Sequence, residues 1–384
     1  MKPQPQPIRP SAEALLRKNM TRFVDREIIP RAKEIDDNKS FPFEVFRTLG
    51  KMGAFRMRYP RERNGAGGTS TLFCIMCEEL ARGSMSVAAI TAMQCLMGTN
   101  FLFHYGNEDH YQRLFLPAMA GEKVAAFALT EPDAATDLAG IRTQAERTQD
   151  GWVLNGMKTW ITNAPVADFF TVLAQTDRSK GFRGMNFFLV ERQTPGFSIS
   201  KKFDKLGTWG TEVSEIAFEN CRIPRENLLG EEGRGLSNLM KILSEIRTMT
   251  AALSLGLARA AFEASLRYAK ERTQFGQPIG QFQLIQSKIA NMATEIEASR
   301  LMTYNATRLI EQGVPCMKEA SMAKYFASET ACRAADEATR IYGAYSYSME
   351  YPVQRFYRDT RFLLFGGGTS EILQVIIARE YGLG

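Results

Sequence analysis

Apolar residues recur at three- and four-residue spacing through the first third of the chain, in stretches such as S-T-L-F-C-I-M-C-E-E-L-A-R and S-V-A-A-I-T-A-M-Q-C-L-M. G-A-G-G and R-G-S break them, and this period predicts helices packed by one face. A first helix is predicted from Ser11 to Lys33, opened by the capping pattern S-A-E-A-L-L. The ten residues before it hold four prolines and read as a flexible arm. Between about Ala125 and Ile223 the text changes to alternation and β-branched or aromatic runs, including D-G-W-V-L-N-G-M-K-T-W-I-T-N, F-F-T-V-L-A-Q-T and M-N-F-F-L-V-E-R. Turn signals at Asp150-Gly151 and Pro195-Gly196 set these runs at hairpin spacing and predict a compact antiparallel barrel or sandwich. From Gly235 onward long periodic segments return and predict a bundle of antiparallel helices. The expected class is α+β multidomain: an arm at 1–10, an N-terminal α-helical domain at 11–124, a central antiparallel β domain at 125–230 and a C-terminal four-helix bundle at 231–384.

Composition narrows the function. A chain of 384 residues, 45% hydrophobic and 23% charged, buries a substantial core and is not a disordered or fibrous sequence. The net charge of +6, with both signs interspersed, argues against nucleic acid and leaves small acidic ligands. No apolar run is expected to reach the roughly 18–20 residues of a membrane span, and the N-terminus lacks the apolar stretch of a signal peptide. A cytoplasmic protein is therefore expected. Two histidines, His104 and His110, supply too little for a multi-histidine metal centre or a histidine-driven triad, so no metal is expected. Cys74 and Cys77 sit in helical text with no second pair at ligand spacing and read as reduced core residues. Eighteen methionines and 25 phenylalanines suit a large apolar cavity and ordinary core filling equally well.

Five motifs carry a more specific signal. F-A-L-T-E-P-D-A-A-T-D-L-A-G (127–140) stands at the α-to-β junction, followed by Lys158-Thr159-Trp160-Ile161-Thr162-Asn163, by R-Y-A-K-E-R-T-Q-F-G-Q-P-I-G-Q-F-Q (267–283), and by E-Y-P-V-Q-R-F-Y-R-D-T-R (350–361) with G-T-S-E-I (368–372). In order and spacing they resemble the acyl-CoA dehydrogenase family over nearly the whole chain. The resemblance implies FAD, with Thr130 serving the pyrimidine edge of the flavin and Trp160 and Thr162 covering the ring face and its N5 side. Thr136 keeps a hydroxyl for a phosphate or substrate contact, although Asp133, Ala135 and Thr136 replace two glycines and a serine common in the family. Arg272, Gln274 and Phe275 match positions that reach across a subunit interface to a neighbour's FAD, which implies a homotetramer built as a dimer of dimers. Arg340 and Gly343 match a second cofactor segment, in which Ala344 and Tyr345 depart from the family's glycines and would crowd the ADP portion. Thr369 and Glu371 match flavin-side positions. Arg247 and Gly366 match the substrate tunnel, and Gln94, within 91–97 on the pocket floor, hints at a functionalised acyl group.

The largest departure concerns the base. The family removes the α-proton of an acyl thioester with a glutamate at one of two positions, and in this chain these positions hold Gly367 and Ile246. The backbone N–H of Gly367 would still hold the thioester oxygen. Glu245, beside Ile246, is a candidate relocated base, although the helical repeat turns it roughly 100° away; a group of the bound substrate, Tyr345 or water are others. The leading expectation is an FAD-dependent oxidoreductase of acyl thioesters, on coenzyme A or an acyl carrier protein, in a specialised pathway, passing electrons to an electron-transfer flavoprotein or another acceptor. A flavin monooxygenase on the same fold and a non-catalytic flavoprotein are the alternatives.

Overall fold

The computed structural model describes residues 11–383, and the proline arm lies outside the described residues. The chain runs helical, then β, then helical. The N-terminal helices are α1 (Ala12–Phe23), α2 (Ala32–Asp37), α3 (Phe43–Lys51), α4 (Ser70–Gly83), α5 (Met85–Ala92), α6 (Asn100–Tyr105), α7 (Glu108–His110) and α8 (Leu116–Ala120). Ser11 caps α1, its hydroxyl accepting from Ala14 N at 3.2 Å. The expected helix to Lys33 is not continuous: it widens to a π-turn at Val24–Ile28 and tightens to a 3-10 turn at Ile29–Arg31, where Pro30 has no N–H to donate.

Met85–Tyr105 corrects the expectation about apolar runs. It forms a 21-residue helical stretch long and apolar enough to cross a membrane, but 83% of that window is buried inside the protein. Thr91, Gln94, Thr99 and Asn100 break the apolar text of this stretch without adding charge, and all four are buried. It is the core of the N-terminal domain. Gly98 brings it against the first strand, since a Cβ there would stand 2.6 Å from Ala125 Cβ.

Eight strands form one sheet: β1 (Ala125–Ala128), β2 (Gln144–Arg147), β3 (Gly151–Thr162), β4 (Phe169–Gln175), β5 (Met185–Glu191), β6 (Phe197–Lys202), β7 (Val213–Pro224) and β8 (Leu228–Leu229). Their order is β6-β7-β3-β2-β4-β5-β8, with β1 beside β4. The sheet is mixed rather than wholly antiparallel, because β1 pairs with β4 in parallel, as does β2 at its start. The excursion through β2 and β3 separates β1 from β4 in the chain and permits that parallel pairing.

The C-terminal helices are α9 (Gly235–Glu271), α10 (Gln283–Glu311), α11 (Met317–Tyr342), α12 (Val353–Thr360) and α13 (Ser370–Glu380). Ala320, Ala323, Ala327, Ala331, Ala334, Ala335 and Ala338 make a buried small-residue seam along α11, which lets α9 approach closely. Gly256 does the same for α4 and α9: a Cβ there would lie 2.1 Å from the Glu78 carbonyl oxygen. Between these helices, fully buried Glu78 and Glu79 receive Arg17, Arg259, Arg300 and Arg82. Cys74 and Cys77 are buried free thiols of α4, as the sequence implied.

Candidate active site

Three groups of residues make the site, and the first is built at the α-to-β junction. Glu131 is buried, one carboxylate oxygen accepting from Lys158 Nζ at 2.7 Å and Thr143 N at 3.0 Å, the other from Arg142 N at 2.6 Å. Lys158, fully buried, also donates to Leu129 O at 3.0 Å. Burial pushes the Lys158 ammonium down to about 8 against the pull of Glu131. Burial works to raise the Glu131 carboxyl, but Lys158 and the surrounding donors hold it below its ordinary value. The pair ties the Thr130 loop to β3, and Thr159 N donates to Thr130 O at 2.9 Å.

Just beyond, the register of β3 on β7 shifts between Lys158 and Ile161. This irregularity places Trp160 at φ +58° and turns its indole outward, 58% exposed and stacked on Phe203 at 4.3 Å and 7°. Phe203 carried no signal in the sequence, since a lone aromatic after K-K reads as a strand end. Thr162 is half-buried beside it, and the buried Asn163 Oδ1 has no partner among the described residues. A flat exposed indole, backbone held in a left-handed conformation and an unsatisfied amide oxygen fit a planar, hydrogen-bonding ring such as isoalloxazine. Thr136 lies apart from this contact, exposed on the following loop.

The second group closes α9 and α11. Arg272 caps α9, exposed, with its guanidinium 5.6 Å from the centre of the Tyr345 ring. Gln274 donates to its neighbour Thr273 O, and Phe275 stands at the tip of the short hairpin with φ +51° and 93% of its surface exposed. Gly343 ends α11 at φ +60°. Arg340 is paired with Asp336 one turn back at 2.7 Å, which spends part of the charge expected of it.

The third group surrounds a glycine turn. Gly366 N donates to Phe362 O and Gly368 N to Phe365 O, while the N–H of Gly367 between them has no acceptor among the described residues. Gly367 has φ +74°, and a Cβ built on it would lie 3.1 Å from Thr250 Oγ1 and 3.7 Å from Ile246 Cγ2. Gly367 and Ile246, far apart in the chain, therefore face each other. Lys324 supports the turn, donating to Leu364 O at 3.2 Å and Gly368 O at 2.6 Å. Thr369 caps α13 by accepting from Ile372 N, and Glu371 is exposed in its first turn.

Two sequence expectations are corrected here. Glu245 is committed to an ion pair with Arg58, which also donates to Asn100 Oδ1 at 2.7 Å, and it is Ile246 that faces the glycine turn. Gln94 is fully buried and its amide is consumed: Nε2 donates to Ala118 O and Lys123 O, and Oε1 accepts from Ala125 N, each at 2.9 Å. It fastens the start of β1 and leaves no atom for an acyl group.

The family is shown by comparison. Models of the acyl-CoA dehydrogenase N-terminal, middle and C-terminal domains match residues 10–123, 126–221 and 233–382. Benzylmalonyl-CoA dehydrogenase of Aromatoleum aromaticum is 49% identical over 94% of this chain and 95% of its own. The 3-(aryl)acrylate reductase of Clostridium sporogenes is 41% identical over 95% and 97%. The structure of glutaryl-coenzyme A dehydrogenase in its glutaryl-CoA complex superposes with a TM-score of 0.94 at 36% identity, over 99% and 98%. The chain belongs to the acyl-CoA dehydrogenase family: it is an FAD-dependent oxidoreductase acting on CH–CH groups of acyl-CoA thioesters.

Proposed function

We propose that this enzyme oxidises thioesters that reach the enolate without a protein base, namely 2-carboxyacyl-CoAs of the arylmethyl- or alkylmalonyl class. The observation that carries the proposal is the meeting of Gly367 with Ile246, which puts a glycine and an isoleucine where the family's carboxylate would act. A malonyl thioester bears a carboxylate on Cα. When the Cα–carboxylate bond breaks, CO2 leaves and its electron pair stays on Cα as the enolate, so no proton needs to be removed. The N–H of Gly367, without an acceptor among the described residues, would hold the enolate oxygen. Bound FAD supplies the two-electron acceptor for the hydride leaving Cβ. The products are the α,β-unsaturated thioester and CO2, in equal amounts. The name of one relative agrees with this class, since a benzylmalonyl thioester carries its free carboxylate on Cα.

In this reading Thr130, Trp160 and Thr162 serve the flavin, and Arg272, Gln274 and Phe275 serve the FAD of a neighbouring subunit within a homotetramer. The exposed Phe275 supports that assembly, because a fully exposed phenylalanine in a left-handed turn is costly unless covered. The test is anaerobic and uses an artificial electron acceptor. Benzylmalonyl-CoA should give CO2 and unsaturated thioester in a one-to-one ratio, and the corresponding 3-phenylpropionyl-CoA, which lacks the α-carboxyl, should react at least about a hundredfold more slowly. Equal rates for the two, or oxidation without CO2, would overturn it.

A further inference from the structure

Arg247 is 4% exposed and follows Ile246 directly on α9. One guanidinium nitrogen meets neutral groups, Met317 Sδ at 2.6 Å and Ser321 Oγ at 3.0 Å, and the buried Nε has no partner among the described residues. No carboxylate pairs with Arg247 among the described residues, although Arg17, Arg58, Arg82, Arg259 and Arg358, all partly or wholly buried, each have one. Lys324 is a neighbour of the same sign, itself spent on the carbonyls of Leu364 and Gly368.

A buried, uncompensated guanidinium is expensive, and proteins keep one where a ligand brings the counter-charge. Burial alone pulls this guanidinium down to about 10, with no anion to offset it. It lies close to the glycine turn by two routes: Ile246 before it on α9 stands 3.7 Å from a Cβ built on Gly367, and its neighbour Lys324 on α11 holds Gly368 O at 2.6 Å. Resting on the 2-carboxyacyl reading above, we infer that Arg247 is the receptor for the substrate's α-carboxylate, a specificity-determining subsite that selects malonyl-type over simple acyl thioesters. Its planar fork suits a carboxylate, which accepts two parallel charge-assisted bonds. The subsite sets which thioester is held; breaking the C–C bond is a separate event at Cα.

The test uses FAD-loaded protein and two ligands that differ only in the carboxylate, malonyl-CoA and acetyl-CoA. Neither has a β-hydrogen, so neither reduces the flavin, and calorimetry gives both dissociation constants, with chromatography confirming that the malonyl-CoA stays intact. Wild type should bind malonyl-CoA at least about tenfold more tightly, as expected of a charge-assisted pair. Arg247→Gln should bring the two affinities within about twofold of each other by weakening malonyl-CoA alone. Should that variant fail to retain FAD, Arg247→Lys decides in its place: the preference should shrink at least about threefold with the loss of the fork. A wild type without preference, or a preference untouched in the variant measured, overturns the subsite. The two proposals fail separately. Malonyl-CoA preference lost in the variant, with no CO2 from benzylmalonyl-CoA in wild type, keeps the subsite and removes the decarboxylative reaction; CO2 release without preference does the reverse.

Discussion

At the scale of single residues, an acid can be introduced beside the glycine turn at two places of unequal quality. Gly367→Glu puts a side chain on a backbone at φ +74°, which costs about 1–2 kcal/mol, and its Cβ lands 3.1 Å from Thr250 Oγ1. Ile246→Glu occupies an ordinary helical position whose Cγ2 already lies 3.7 Å from the same point. Its carboxyl would sit in a buried site, where desolvation raises the pKa toward the range useful for a base. We therefore expect Ile246→Glu to retain FAD and to gain the larger increase, about a hundredfold, in flavin reduction by straight-chain acyl-CoAs, read as bleaching of the flavin band. Gly367→Glu should gain less and recover part of the difference when combined with Thr250→Ala. Equal bleaching in wild type and both variants would contradict this. The spacing of the motifs was legible in the sequence, and it proposes both positions without any tertiary information. Their meeting was not, nor was the solitude of Arg247, since each depends on what another helix brings. Glu245 shows the same limit: its partner Arg58 lies in a segment with no motif of its own.

At the scale of elements, the Glu131–Lys158 pair and the Glu78–Glu79 cluster do different work. Lys158→Met would strand a buried carboxylate beneath the strand irregularity that presents Trp160, so it should cost about 3–5 kcal/mol and lower FAD retention together. Thermal unfolding and flavin content measure both; stability lost with FAD content intact would separate the pair from the cofactor. The cluster binds α1, α4, α9 and α10. Burial opposes ionisation of Glu78 and Glu79, but Arg259 and Arg17 prevail and hold both below the ordinary value of 4.5. Depressed carboxylates stabilise the fold above that value, and the contribution is lost as pH falls below it through their folded pKa values. Denaturation midpoints should drop in that window, and Glu78→Gln with Glu79→Gln should flatten the slope there. Element types were largely legible, because period and capping are local: Ser11 is a cap where the pattern placed one. The break at Pro30 and the parallel placement of β1 were not, since one balances ring sterics against packing and the other depends on which strand is free to pair.

Across the whole molecule, a junction near Trp209 joins residues from all three thirds of the chain. Lys39 Nζ lies 4.2 Å and the Arg358 guanidinium 3.8 Å from the centre of the Trp209 ring, Arg358 pairs with Asp36, and Thr208 N donates to Asp359 at 2.6 Å. Burial raises the Asp359 carboxyl to about 6, with Asp36 adding to it and the Thr208 N–H opposing. A raised carboxyl means that the folded state holds the proton longer, so its contribution weakens as pH rises from about 4 to about 6. Asp359→Asn should therefore be at least as stable as wild type at pH 7 and gain nothing at pH 4; a loss at pH 7 would contradict the sign. If Arg272 serves a neighbour's FAD in the proposed homotetramer, Arg272→Ala should lower both FAD content and assembly, followed by flavin absorbance and native mass. The buried acid cluster also bears on how the protein is made. Glu78 and Glu79 emerge from the ribosome long before Arg259 and Arg300, and until those arrive the two carboxylates have only Arg17 and Arg82, half of the cations that let them be enclosed. Full enclosure of this cluster is therefore expected only once the last third has been translated. Sequence comparison divides the chain into three matching segments, but biosynthesis has to complete them as one.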